Sequence, residues 1–489
     1  MTVADSTSLT DPQATDQPTP WGVIGLLLGA AFVVILNETT MAVALPALMA
    51  DLHVEAQTAQ WLTTGFMLTM AVIIPITGFV MNRFTTRQIF IAALGLFSVG
   101  TTMAALAPSF GPLLLARVVQ ASGTAIMMPL LMTTILVLVP AQRRGQVMGL
   151  ISVVISMAPA LGPTISGVIL RYSHWRTIFW VMLPIALVML VIGAIRMKNV
   201  GEQTDKPIDL ISVPLSAIGF GGLVYALNKI GAEGQLPVMI GSFAVALVAL
   251  GLFVWRQLSL TQPLLDLRTF GYRNFTVGLG VMMIGFMALM GVFLVYPIYL
   301  QQVRGLDTQD AGLLMLPGGL AMGVLGPVIG RLYDRFGARR LVIPAAISMT
   351  VWVFALSMLT STSTPVGILL AMHVLLSLSL SFMFTPIFTT ALGDLPPQLY
   401  ADGSALVGTL QQVAGAAGSA LLVTVMAERA KALMATGTDH IAAQLAGTHA
   451  TFLLATGMAA VAVVLAFLLR DSTPKPEPVG EASPEPASA

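Results

Sequence analysis

Cysteine is absent from the 489-residue chain, which excludes disulfides and cysteine-bound metal centres. Charge is scarce as well. Asp, Glu, Lys and Arg make up 9% of the residues, against about 25% in a soluble globular chain. The formal net charge of +1 provides no basic field for nucleic acid. Five histidines are scattered without metal-ligand spacing, so neither a metal nor an organic cofactor is expected. No G-x-x-x-x-G-K-[ST] loop occurs, which excludes ATP drive in cis. No Ser/His/Asp constellation stands out, so an enzyme of the bond-making kind is not expected. The polar segment Met1–Pro20 carries Asp5, Asp11 and Asp16 and lacks the basic n-region of a cleaved signal peptide.

Apolar residues are what the chain has in abundance. They form 56% of it, with mean hydropathy +0.88, and they come in long blocks. A spanning helix needs about 20 mostly apolar residues. Fourteen runs qualify: 21–46, 57–80, 88–107, 112–139, 146–169, 176–196, 210–228, 236–256, 275–300, 311–330, 341–360, 366–390, 404–427 and 450–469. The expected fold is therefore an all-α polytopic membrane protein. An even number of spans puts both termini on one side. With cytoplasmic termini, sixteen of the Lys and Arg residues fall in inner loops and the tail and six outside, so the positive-inside rule favours that orientation. The tail from Asp471, rich in Pro, Glu and Ser, reads as disordered.

The chain repeats itself. Pro75, Gly78, Asn82 and Arg87 recur 252 residues later as Pro327, Gly330, Asp334 and Arg339, and Arg117 aligns loosely with His373. Runs 1–6 map onto runs 9–14, while runs 7 and 8 have no counterpart. The expected organisation is a disordered cytoplasmic segment 1–20, a six-helix bundle 21–196, an inserted hairpin 210–256, a second six-helix bundle 275–469 and a disordered cytoplasmic tail 471–489. In transporters built from two like-oriented halves, the substrate site lies at their interface near mid-membrane.

Glu38 is the only acidic residue well inside any of these runs. A carboxylate at membrane depth is costly and is kept mainly where it works. Low dielectric penalises the charged form of a carboxyl, so a group placed there is suited to load and unload a proton. The plainer alternative is a structural carboxyl bonded to a neighbouring helix. Arg117 lies inside run 4. It either fixes a positive charge beside a coupling acid or snorkels to the interface.

Gly330-Arg331-Leu332-Tyr333-Asp334-Arg335-Phe336-Gly337-Ala338-Arg339-Arg340 matches the loop pattern G-x-L-x-D-R-x-G-x-R-R nearly throughout, and in this the chain resembles the major facilitator superfamily. The loop's first copy, Gly78 to Gln88, retains Gly78, Arg83 and Arg87 but has Asn82 in place of the acid and Thr85 in place of glycine. In the family this loop makes charge contacts that hold one transport conformation; the alternative is a basic loop serving topology alone. Arg117-Val118-Val119-Gln120-Ala121 resembles the helix-4 motif R-x-x-Q-G. Pro159, Gly162, Pro163 and Gly167 resemble the antiporter motif of proton-driven exporters. There, prolines kink the helix and small residues at i, i+4 and i+8 permit close approach; the result is a rocking seam, a leak barrier or ordinary packing.

Leu36-Asn37-Glu38-Thr39-Thr40 resembles a variant of the first-helix stretch of fourteen-helix drug:proton antiporters, in the lincomycin-resistance-like branch. Asn37 occupies the usual acid position, and one residue turns a helix by about 100°. The resemblance implies two six-helix bundles plus two extra central helices. It also implies antiport of amphiphilic drugs or antibiotics against protons across the cytoplasmic membrane, by a monomer with no bound cofactor. Asn37, Gln120, Tyr225, Asn228, Met287, Gln411 and Gln412 are the candidates for contact with cargo; each has packing or helix–helix bonding as its alternative. A transporter dedicated to one metabolite or antibiotic stays open, as does a non-transporting membrane scaffold.

Overall fold

Backbone groups in lipid must be satisfied internally, so uncharged apolar runs of this length become helices. The computed structural model of the chain describes residues 21–200, 209–231 and 234–470, and these are helical almost throughout. The expectations for 1–20 and 471–489 lie outside the described residues. The first half holds α1 (Trp21–Leu52), α2 (Trp61–Arg83), α3 (Thr86–Leu106), α4 (Phe110–Leu138), α5 (Arg144–Tyr172) and α6 (Arg176–Arg196). The hairpin follows as α7 (Ser212–Leu227) and α8 (Leu236–Ser259). The second half holds α9 (Arg273–Ile298), α10 (Thr308–Phe336), α11 (Ala338–Leu359), α12 (Val366–Gly393), α13 (Tyr400–Ala435) and α14 (His440–Ala466).

Thirteen helices among the described residues are long and apolar enough to cross a membrane. The remaining expected span, α7, is shorter and contains a π-helical stretch, Ala217–Gly221. It lies against α8, α2 and α13, so the hairpin leans on both halves. Within the halves, α3 packs on α4 and α6, and α11 packs on α12 and α14. Between the halves, α5 packs along α10 and α2 along α13. These two pairs carry most of the contact between the halves.

Polar groups fasten the ends of the helices. Asp51 at the end of α1 accepts hydrogen bonds from Arg176 (2.7 Å) and the Trp175 indole (2.9 Å). The Arg176 bond, helped by Trp175, holds its carboxyl below the usual carboxylate range. Arg256 of α8 donates two bonds, at 2.6 and 2.7 Å, to Asp209 just before α7. This fork holds the Asp209 carboxyl far below its ordinary range. Gln257 bonds both Ser212 and the backbone N–H of Leu265, tying the hairpin to the segment that enters the second half. A carboxyl depressed in the folded state adds stability above its unfolded pKa, about 3.9, and loses it as pH falls through the folded value. Asp209→Asn is therefore expected to cost about 1.5–3 kcal/mol of hairpin stability at neutral pH. Thermal unfolding of the purified protein checks this, and the gap to the unmodified chain should narrow in strong acid.

Candidate functional site

The turn of α1 at Asn37–Thr40 places four polar side chains in an apolar helix, and each has a different environment. Asn37 and Thr40 are fully buried, while Glu38 and Thr39 are half-buried. Arg117 of α4 is almost fully buried and donates from Nη1 to Asn37 Oδ1 (3.2 Å) and Gln120 Oε1 (2.6 Å). Gln120 donates in turn to Thr101 Oγ1 on α3 (2.8 Å). The guanidinium carbon sits 4.1 Å from the centre of the Phe66 ring on α2. A buried guanidinium thus has two neutral acceptors and one aromatic face, and its Nε has no partner among the described residues. No group among these residues hydrogen-bonds the Glu38 carboxylate, but Arg117 and Glu38 act on each other through space.

The side chain following Glu38 fixes this turn to α5. Thr39 Oγ1 bonds its own helix at Leu36 O (3.0 Å) and reaches Ala158 O (3.4 Å). A Cβ at Gly162 would lie 2.2 Å from Thr39 Oγ1. The Ala158/Gly162/Ser166 face of α5 therefore packs on α1 within the first half. The helix runs unbroken through Pro159 and Pro163, and Gly167 near its end has open space around it.

A different glycine face of α5 meets the other half. A Cβ on Gly149 would lie 2.2 Å from Gly326 O of α10, and one on Gly330 would lie 2.0 Å from Gly145 O. The two backbones touch. Asp334 beside them accepts the N–H groups of Gly145 (2.8 Å) and Gln146 (3.0 Å), capping the start of α5 from the opposite half. A carboxylate suits the positive end of a helix dipole. Thr133 bonds Ser404 (3.2 Å), Ser152 contacts Thr385, and Arg144 lies over the Tyr400 ring (5.3 Å). The end of the molecule bearing both loop copies is thus closed between the halves. At the other end of the α5–α10 pair, Gly167 and Gly312 have no neighbour within 4 Å, and Val168 (57%) and Tyr172 (79%) are exposed.

The two loop copies differ in backbone as well as in sequence. Gly337 has φ +78°, a region that favours glycine. Its counterpart Thr85 has φ −70° and forms a capping box with Gln88 that starts α3. The loss of glycine is therefore matched by another way of turning the chain. The acid missing at Asn82 has a neighbour instead. Buried Asp402, in the first turn of α13, stands 3.1 Å from where a Gly78 Cβ would be and accepts the N–H of Asp266 (3.3 Å). Arg87, Arg335 and Arg339 are exposed, and Arg335 stacks on Phe336; Arg83, also exposed, is engaged with other groups.

The remaining sequence candidates fall in three places. Asn37 and Gln120 are buried, with their amide oxygens occupied by Arg117. Gln411 and Gln412 of α13 and Met287 of α9 are half-buried, and Gln412 reaches Met70 Sδ on α2 (3.6 Å) across the seam. Tyr225 lines an apolar groove between α2, α7 and α8, and exposed Asn228 bonds back to Val224 O. His373, the repeat partner of Arg117, donates to Met315 O (3.2 Å) and stacks on Tyr296 (5.4 Å). The second half thus answers the charged site with an aromatic one.

Sequence reasoning passed over Asp402, Thr101, Phe66, Gly145 and Gly326. The glycines carried a signal: Gly145 with Gly149, and Gly326 with Gly330, are small-xxx-small pairs. Asp402 stood outside its apolar run and looked like a loop residue.

The sequence pattern of the Major Facilitator Superfamily matches residues 27–419. The chain is 40% identical over 465 residues to the uncharacterized MFS-type transporter YcnB of Bacillus subtilis, covering 94% of this chain and 97% of that one. It is 40% identical over 457 residues to the lincomycin resistance protein LmrB of Listeria monocytogenes, covering 92% and 97%. The structure of the human organic anion transporter MFSD10 superimposes with a TM-score of 0.66 at 16% identity, covering 92% of this chain and 100% of that one.

Proposed function

The chain belongs to the Major Facilitator Superfamily of multi-pass membrane transporters, and on that premise we propose that it exports amphiphilic drugs or antibiotics in exchange for protons. One observation carries the proton part. Glu38 is half-buried, has no hydrogen-bond donor among the described residues and faces the electrostatic influence of a fixed Arg117. Protonating Glu38 removes an attraction inside the first half. The Thr39–Gly162 contact then gives that change a mechanical path to α5, whose other face forms the seam with α10.

The closed end is read as cytoplasmic, because the basic loops lie there. In this state the site would open outward, toward the side from which protons come, with both termini on the cytoplasmic side of the cell membrane. Cargo is read as meeting Gln411, Gln412 and Met287 at the interface. A lone carboxyl suits neutral or weakly basic amphiphiles better than dications. Lincomycin leads the panel of candidate cargoes, because a relative of similar length is named for resistance to it.

The test uses the purified protein, read as a monomer, in proteoliposomes with an imposed pH gradient. Several structurally unrelated amphiphiles are expected to move and to release or take up protons as they do. Movement of one compound alone would make this a dedicated transporter. No substrate-dependent proton flux across a wide panel would overturn the reading.

A further inference from the structure

The inserted hairpin builds a cavity whose lining includes none of Glu38, Met287, Gln411 and Gln412. An open groove of about 570 Å³ runs between α2, α7 and α8. Small residues hollow it out: Gly221 and Gly222 on α7, and Gly241 and Ser242 on α8. Leu68 and Val72 of α2 form its opposite wall. The wall on α7 is the π-helical stretch Ala217–Gly221, and π-bulges are frequent at functional sites. The lining is overwhelmingly apolar, so its occupant is apolar over most of its length.

One end of the groove is marked by different chemistry. Tyr225 lines it, the Trp61 ring lies 6.1 Å from the Tyr225 ring, and Lys229 Nζ sits 5.5 Å from the same ring. No acidic side chain among the described residues pairs with Lys229. Two aromatics at a helix end are the signature of a membrane interface, and a lysine there with no acidic partner among the described residues attracts an anionic head group. The same charge disfavours a weakly basic cargo, so the groove and the Glu38 site select molecules of opposite sign.

The geometry points to a binding site for an anionic phospholipid, with an acyl chain along Gly221, Gly222 and Gly241 and the phosphate at Lys229. The lipid then wedges the hairpin against α2, a helix of the inter-half seam. Runs 7 and 8, which have no counterpart in the repeat, thereby acquire a role.

Binding of phosphatidylglycerol and of phosphatidylcholine with identical acyl chains is compared by native mass spectrometry on the full chain. Phosphatidylglycerol is expected to bind about fivefold more tightly, the preference that one lysine near an anionic head group supplies. Lys229→Gln should remove the preference while leaving acyl binding. Gly241→Trp, where a new side chain meets open space, should lower binding of both lipids. A diazirine on the phosphatidylglycerol chain should label Leu68, Ile218 and Val245, a readout independent of any variant's folding. Equal binding of the two lipids by the unmodified chain, or label spread evenly over the membrane-facing surface, overturns the proposal. So does competitive displacement of the lipid by transported drugs, which would make the groove a cargo route; failure of export itself leaves this lipid test intact.

Discussion

Glu38→Gln is expected to abolish proton-driven export and return drug susceptibility of an efflux-deficient host to its background. Glutamine keeps the length and most of the volume of the side chain, so packing of α1 on α5 is preserved. What disappears is the ability to carry a proton and a negative charge opposite Arg117. Substrate counterflow without a proton gradient should persist, because that exchange needs alternation but no coupling. Arg117→Lys is the companion change. It keeps a positive charge but loses the delocalised plane that lies over the Phe66 ring while Nη1 serves both Asn37 and Gln120. Export in that variant should fall while the protein still reaches the membrane. Undiminished resistance and undiminished proton exchange in Glu38→Gln would remove Glu38 from the coupling role.

The second large effect belongs to the seam. Gly149→Ala adds one methyl group 2.2 Å from Gly326 O, and the α10 backbone cannot fold away as a side chain could. The α5 helix itself gains from the change, since alanine favours a helix over glycine by about 1 kcal/mol. Any loss therefore comes from contact between the halves. Overpacking costs about 1–3 kcal/mol, so the ratio of the state with this end closed to the state with it open should fall by about fivefold to 150-fold. The absence of native cysteine gives a direct readout. Ser404→Cys, at the Thr133 contact across the seam, should react faster with a water-soluble maleimide when Gly149→Ala is also present. Gly95→Ala on α3, where nothing lies within 4 Å of the added methyl, serves as the control and should change neither labelling nor export. Unchanged labelling in the Gly149→Ala pair would show that the seam tolerates the methyl by local relaxation.

Much of the fold was legible because a membrane allows so few structures. Long uncharged runs have only one way to satisfy their backbone in lipid, so the helices could be counted before any contact was known. The 252-residue repeat added the pairing of halves, and the loop at Gly330–Arg340 added the family. Run 7 was the exception in length: its helix is short and interrupted by a π-turn, and hydropathy carries no sign of that. The site was legible in part. Glu38 and Arg117 stood out as charges in apolar sequence, and burying them is expensive enough to be noticed.

Which residues answer those charges was decided by the tertiary structure. Asn37 and Glu38 are adjacent in sequence, yet one is buried against Arg117 and the other has no hydrogen bond among the described residues, because one residue turns a helix by about 100°. Asp402 and Gly78 are 324 positions apart and meet only when α13 lies along α2. The glycines of α5 divide between two neighbours, Gly162 against α1 and Gly149 against α10, a division that spacing cannot specify because both faces are made of small residues. Composition and period therefore set what must be buried in this chain. The partner of each buried group depends on how rigid helices cross, and that is a property of the whole helical assembly.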